Sequence, residues 1–98
     1  MTNEKITCDT PTPGKAAVRI ERWKYELVRG AILEALKEGG EVEFRDLSKM
    51  VRRGIAPTKV AKLGSVSWYT TTVKLDLESR GEIERVEGIS PQRLRRCT

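Results

Sequence analysis

The chain has 98 residues, a formal net charge of +5, 34% charged residues and no histidine. This length suits one small domain and excludes two independent cores. No apolar run approaches the roughly 18 residues of a membrane span, which excludes a membrane protein. The N-terminus lacks the apolar segment of a secretory signal, so a cytoplasmic location is expected. Two cysteines without a histidine cannot complete the usual zinc site, and neither a metal nor a cofactor is expected.

The positive charge is concentrated in the C-terminal half. Residues 1–44 contain seven basic and eight acidic residues, whereas residues 45–98 contain twelve basic and six acidic ones. A polyanion such as DNA would select this asymmetry, because each Lys or Arg near a phosphate releases a condensed counterion. Charge also keeps small domains in solution, so this pattern alone leaves both interpretations open.

The first residues are expected to be extended. Pro11 and Pro13 stand one residue apart, and neither can donate a backbone hydrogen bond within a helix. We therefore predict an extended N-terminal arm at residues 1–16 and one folded domain at residues 17–98.

Helical and strand patterns then follow in turn. Apolar side chains recur at helical spacing from about Arg22 to the glycines at 39–40, which end the first helix. Residues 41–44 alternate as a short strand, and a second helix ends at Gly54. The connection after Gly54 is longer than a simple helix-turn-helix requires, and it is expected to contain one helical turn.

A third helix is predicted at about 66–80. Four apolar residues at steps of three and four form one buried stripe, a glycine stops the helix, and a β-hairpin follows. This order predicts an α+β fold of winged-helix type, with a three-helix core, a short strand after helix 1 and a C-terminal two-stranded wing. The stripe is Val66, Tyr69, Val73 and Leu77, the stop is Gly81, and the strands are residues 82–87 and 92–97.

These segments resemble a known group of proteins. The sequence LDLESRGEIERVEG, residues 75–88, is similar to the end of the recognition helix and the first wing strand of winged-helix transcription regulators. The sequences KYELVRGAIL, SVSWYTTTVKLDLESRG and SPQRLR, within residues 15–95, are more closely similar to a small family of uncharacterised bacterial winged-helix proteins. The resemblance implies the fold and brings no activity with it, because fold alone does not determine function.

The outward face of the third helix is the expected groove-facing surface, since that helix enters the major groove in DNA-binding winged helices. A turn of 100° per residue places Ser67, Thr71, Thr72 and Lys74 on or beside this face. Hydroxyls and one lysine offer few base-reading groups, and the nearby Glu78 would repel phosphate. We therefore expect phosphate contacts to dominate.

Two apolar residues, Trp68 and Leu75, also point outward and lie two turns apart. Three explanations are open: the N-terminal arm covers them, they form a homodimer or partner interface, or Trp68 stacks on a base. Cover within the chain is the commonest fate of a tryptophan in a small domain. Trp23, at the start of the first helix, is expected to cover the core.

The wing is the stronger candidate for phosphate contacts, because it carries four arginines and a guanidinium makes forked contacts with phosphate oxygens. Three glutamates on the facing strand leave a second explanation open, namely cross-strand ion pairs. The arginines are Arg85, Arg93, Arg95 and Arg96, and the glutamates are Glu82, Glu84 and Glu87.

A secondary basic cluster surrounds the connection between the second and third helices. It comprises Arg52, Arg53, Lys59 and Lys62, which would contact the DNA backbone from the other side. A solvated helix end, with cations near the negative pole of the helix dipole, explains the same residues without a ligand.

The predicted function is binding of double-stranded DNA, mainly through phosphates, by a regulator of transcription or an accessory factor. The alternative is a protein-interaction or homodimerisation module that uses Trp68 and Leu75 on the same scaffold without DNA binding. An enzyme is not expected, because the sequence shows no histidine, no carboxylate pair in an apolar setting and no nucleophile elbow.

Overall fold

The computed structural model describes residues 4–10, 17–86, 88 and 91–97. These residues form a mixed α+β domain, which confirms the predicted class. None of the helices described is long and apolar enough to cross a membrane. The elements are β1 (Lys5–Cys8), β2 (Val18–Glu21), α1 (Arg22–Gly39), β3 (Val42–Glu43), α2 (Phe44–Gly54), α3 (Pro57–Leu63), α4 (Val66–Ser79), β4 (Ile83–Arg85) and β5 (Arg93–Arg96).

The strands form two antiparallel sheets. β1 and β2 make a separate two-stranded sheet, and the other three strands have the order β3-β5-β4. The short strand after the first helix therefore joins the C-terminal hairpin, with Val42 opposite Leu94. Both of these side chains are buried, so the sheet contributes to the core between the helices.

The predicted order of elements is wrong in two respects. It lacked the β1-β2 pair, in which Ile6 lies opposite Ile20. It also gave the α2–α4 connection one helical turn, whereas this connection contains the seven-residue helix α3, which brings the described residues to four helices. Pro57 occupies its first turn, where a missing N–H costs no hydrogen bond and the fixed φ favours the helix.

The position of α4 follows largely from local signals. The Ser65 hydroxyl caps its start by accepting a hydrogen bond of 3.1 Å from the Trp68 amide. At its end, Gly81 has φ of 75°, and the Glu82 amide donates to the Leu77 carbonyl at 2.9 Å. The predicted stop at Gly81 is therefore confirmed.

The core forms where α1, α2 and α4 meet above the three-stranded sheet. Three residues of the predicted α4 stripe are fully buried, while Tyr69 is only partly buried and packs against the core edge. Thr70 and Lys74 are buried as well, because α2 covers a second side of α4. The buried stripe residues are Val66, Val73 and Leu77, and they meet Val28 and Ile32 of α1 and Leu47 and Val51 of α2 in one cluster.

Candidate nucleic-acid interface

The wing arginines are mostly held in ion pairs. Arg95 lies directly opposite Glu84 in the β4-β5 ladder, and the Nε–Oε1 distance is 2.7 Å. Arg93 lies 3.5 Å from Glu43 of β3. The predicted alternative, an ion pair across the wing hairpin, is therefore correct for Arg95. Arg93 is paired instead with a glutamate of the neighbouring strand β3.

The remaining two wing arginines differ from each other. Arg85 donates a hydrogen bond of 2.7 Å to Glu78 of α4. Arg96 is partly buried and forms no ion pair within the described ranges. Three of the four arginines expected to hold phosphate thus have a carboxylate partner. These carboxylates lower the positive potential of the wing, although breaking an exposed ion pair costs little free energy.

Lys74 is buried, and its predicted approach to a DNA groove is wrong. Its side chain is 2% exposed, and its Nζ lies 3.2 Å from Glu78 Oε2 and 4.5 Å from the ring centre of Phe44. Burial lowers the pKa of Lys74, while the charge of Glu78 opposes that shift. Lys74 is buried because α2 covers α4 on one side and the Arg85–Glu78 pair covers the adjoining side.

The hydroxyl-bearing residues of α4 do reach the surface. Ser67 is exposed, and Thr71 and Thr72 are partly exposed. Ser67 and Thr71 line a shallow cleft of about 190 Å³ between α2 and α4, which also contains Arg45 and Ser48. This cleft lies beside the first turn of α4, where polar groups can approach a ligand without meeting a carboxylate from α4.

A group of exposed cations without ion pairs among the described residues lies outside the wing. Residues 47–75 contain six basic residues and no acidic residue. Lys74 is buried, and the other five cations are exposed without an ion pair to any part of the chain that the structure describes. We call this surface, formed by the exposed side chains of residues 47–75, the acid-free face. Its cations are Lys49, Arg52, Arg53, Lys59 and Lys62.

The acid-free face contains the whole secondary basic cluster. One of its members, Arg53, borders a groove between α1 and α2 together with Glu26 and Glu34, so its charge is partly offset. The other four cations lack such neighbours among the described contacts. Sequence reasoning ranked this region below the wing, although a sequence signal was available in the absence of acidic residues between Asp46 and Asp76.

Aromatic rings and lysines meet at one end of the acid-free face. The Trp68 and Tyr69 rings make a T-shaped contact with centroids 4.8 Å apart. Lys24 Nζ lies 5.1 Å from the Tyr69 ring and 5.5 Å from the Trp23 ring. Lys59 Nζ lies 5.8 Å from the Trp23 ring. We call these five residues the aromatic–lysine cluster, which joins α1, α3 and α4.

The two tryptophans in this cluster are not core residues. Trp68 is 47% exposed, so the described residues of the N-terminal arm do not cover it. Trp23 is partly buried, does not belong to the core cluster, and donates a hydrogen bond of 2.8 Å to Glu21. The expectation that Trp23 covers the core is therefore wrong, because its polar edge is tied to the end of β2. Leu75 is partly buried.

A buried carboxylate anchors the opposite end of α4. Asp76 accepts hydrogen bonds from the Tyr25 hydroxyl at 2.5 Å, the Asp9 amide at 2.9 Å and Arg80 Nε at 2.8 Å. Burial first, and the charge of Asp76 second, raise the pKa of the neighbouring Cys8 to about 11. Burial and the hydrogen bond to Asp76 also raise the pKa of Tyr25. This arrangement fixes the N-terminal hairpin to α4 and is structural.

The Cys8 thiol is buried, the Cys97 thiol is exposed, and both are free. Within the ranges that the structure describes, no three side chains of His, Cys, Asp or Glu lie close enough together to hold a metal ion.

These features define a small α+β domain with an acid-free face and an adjoining aromatic–lysine cluster. The chain belongs to a family of unknown function, DUF6958, which it matches over residues 5–94. That match extends from β1 into β5 and includes the whole acid-free face. No curated protein and no solved structure matches the chain significantly.

Proposed function

We propose that the protein is a winged-helix protein that binds double-stranded DNA through its phosphates. The winged-helix assignment is supported by the order α1-β3-α2-α4-β4-β5 and by the pairing of β3 with the C-terminal hairpin. In this assignment α4 corresponds to the recognition helix, and α3 is an insertion between the second and third helices of the fold. The resemblance to transcription regulators extends the proposal to a cytoplasmic regulator or an accessory factor.

The acid-free face carries the proposal. Five exposed cations without an acidic residue between them provide sites where phosphates can replace condensed counterions. The wing comes second, because most of its arginines would first have to exchange their carboxylate partners. Ser67, Thr71 and Thr72 lie nearest to the groove in this arrangement and would contact phosphate or base edges through their hydroxyls.

A comparison of matched charge variants tests this assignment. A blunt duplex is titrated at low salt with the wild type, with an Arg52→Gln and Lys62→Gln double variant, and with an Arg85→Gln and Arg95→Gln double variant. Each double variant removes two positive charges. A difference between their duplex affinities therefore reflects where the charges lie on the protein and not its net charge. We expect the first pair to weaken binding more than the second. A wild type that does not bind at low salt would refute the proposal.

The second candidate function is a homodimer or protein-interaction module. The exposure of Trp68 favours it, since a large exposed aromatic ring is a common interface anchor. Leu75→Glu should then lower the mass measured by light scattering while the far-ultraviolet circular dichroism stays unchanged. A monomer both before and after the substitution would contradict this candidate.

A further inference from the structure

The Trp68 side chain is open to the solvent at the surface of α4. It is 47% exposed and lies in the first turn of α4. A T-shaped contact occupies at most one face of either ring, so Tyr69 leaves at least one face of the Trp68 indole uncovered. A flat, accessible ring of this kind can accept a second flat ring.

The cluster that contains Trp68 also holds two lysines. Lys24 and Lys59 hold their ammonium groups above neighbouring aromatic rings of the cluster, where the ring faces attract positive charge. Glu21 is the acidic neighbour, and it is occupied by Lys24 at 3.8 Å and by Trp23 at 2.8 Å. The charge of Lys59 is therefore left for an incoming anion.

A protein interface fits this surface less well. Among the described residues, the exposed large hydrophobic side chains are Trp68 and Val18, and Leu75 is partly buried. Interface anchors normally lie within a wider dry patch, whereas the cluster that contains Trp68 includes two lysines. An exposed indole in a cluster with lysines resembles the surfaces that hold unpaired nucleotides, where aromatic rings stack on bases and cations follow the backbone.

We propose that the aromatic–lysine cluster stacks an unpaired base, so that the preferred nucleic acid carries a single-stranded segment next to a duplex. This inference rests on the proposed DNA binding and specifies its ligand. Lys59 belongs to both the acid-free face and the cluster, so a duplex held by that face would bring its end, or a frayed base, to the cluster that contains Trp68. The cluster gives no hydrogen-bond pattern for a particular base, so stacking should tolerate any sequence.

Affinity measurements on three matched ligands test the inference. The ligands are a blunt duplex, the same duplex with a short thymidine overhang, and oligothymidylate alone. We expect the overhang to strengthen binding. Trp68→Ala should lower the affinity for the overhang duplex about tenfold and the affinity for the blunt duplex only slightly. Val18→Ala, which shortens the other exposed large hydrophobic side chain, is the matched control and should leave both affinities unchanged.

A fluorescence measurement provides a second readout. The chain has two tryptophans, so the Trp23→Phe variant reports on Trp68 alone. Stacking of thymine on the indole should quench its emission on addition of oligothymidylate, and the blunt duplex should quench it less. If Trp23→Phe fails to fold, the difference between the wild type and Trp68→Ala gives the same signal.

The outcomes separate this inference from the function on which it rests. Blunt-duplex binding that gains nothing from an overhang overturns base stacking and leaves duplex binding supported. Binding of single-stranded ligands without blunt-duplex binding supports stacking and overturns the duplex proposal. No binding of any ligand at low salt overturns both. A change in oligomeric mass for Trp68→Ala, with affinities unchanged, overturns stacking in favour of self-association.

Discussion

The hydroxyl of Tyr25 in α1 donates a hydrogen bond of 2.5 Å to the carboxylate of Asp76 in α4, which lies 51 positions later in the chain. The same carboxylate accepts the amide of Asp9, immediately after β1. One fully buried acidic group therefore connects the first helix, the N-terminal hairpin and α4. Such a group is stable only while its donors remain in place, because an unsatisfied buried charge is costly.

Removal of the Tyr25 hydroxyl should destabilise the fold. We expect Tyr25→Phe to lower the free energy of unfolding by about 1.5 to 3 kcal/mol, the usual value for a hydrogen bond to a charged group. Tyr69→Phe is the matched control, because that hydroxyl is partly exposed and makes a longer contact of 3.3 Å with Lys24. Denaturant unfolding measures both. If Tyr25→Phe and Tyr69→Phe lost equal amounts of unfolding free energy, the Tyr25–Asp76 hydrogen bond would not stabilise the fold more than an exposed one does.

The buried ion pair of Lys74 and Glu78 should respond asymmetrically to substitution. Lys74→Met has a similar volume and leaves Glu78 paired with Arg85, so stability should change by less than about 1 kcal/mol or rise. Glu78→Gln leaves the Lys74 ammonium buried without a counter-charge and should cost about 3 kcal/mol. Thermal and denaturant unfolding compare the two.

Lys74→Met also tests the position of the DNA contact. Because the side chain is 2% exposed, its replacement should leave duplex affinity unchanged, whereas a contact in the groove would make the variant bind more weakly. A clear loss of duplex affinity in a Lys74→Met variant that remains folded would show that Lys74 contacts DNA.

The buried thiol of Cys8 predicts a loss of stability at alkaline pH. Folding raises its pKa from 9.0 to about 11, so the stabilisation is complete below pH 9 and disappears as the pH rises to 11. That shift corresponds to about 2 to 3 kcal/mol. The difference in unfolding free energy between the wild type and Cys8→Ala should therefore narrow over this range. In both proteins the raised pKa of Tyr25 also lowers stability as the pH rises, and the lowered pKa of Lys74 acts in the opposite direction. A difference in unfolding free energy between the wild type and Cys8→Ala that stays constant with pH would contradict the prediction.

If the acid-free face binds DNA as proposed, the salt dependence of the affinity should give the number of phosphates that it holds. If four phosphates are engaged, the logarithm of the binding constant should fall with that of the salt concentration at a slope of about −3.6. Removing two of the cations, as in the Arg52→Gln and Lys62→Gln variant, should reduce the slope to about −1.8. An unchanged slope in this variant would place the phosphate contacts elsewhere, and the wing variant would then be the one to show the reduction.

Several features of the fold were predictable because their signals are local. Ser65, the apolar spacing that begins at Val66 and Gly81 define α4 within a short stretch, and the hairpin that follows is short-range. The β1-β2 pair was missed because Pro11 and Pro13 indicated an extended arm, whereas the pairing of Ile6 with Ile20 is a contact between residues 14 positions apart. A strand without an obvious neighbour in sequence reads as an extended arm.

The sequence by itself determined the α+β class, the extent of α4 and the uneven distribution of charge, since these depend on spacing and composition. Only the tertiary structure decided which charges reach the solvent. Lys74 was buried by the packing of α2 on α4, and Arg95 was neutralised by its register with Glu84. The same packing left Trp68 exposed, with its ring against Tyr69. Burial and pairing depend on residues far apart in the chain, and for that reason the candidate interface moved from the wing to the acid-free face.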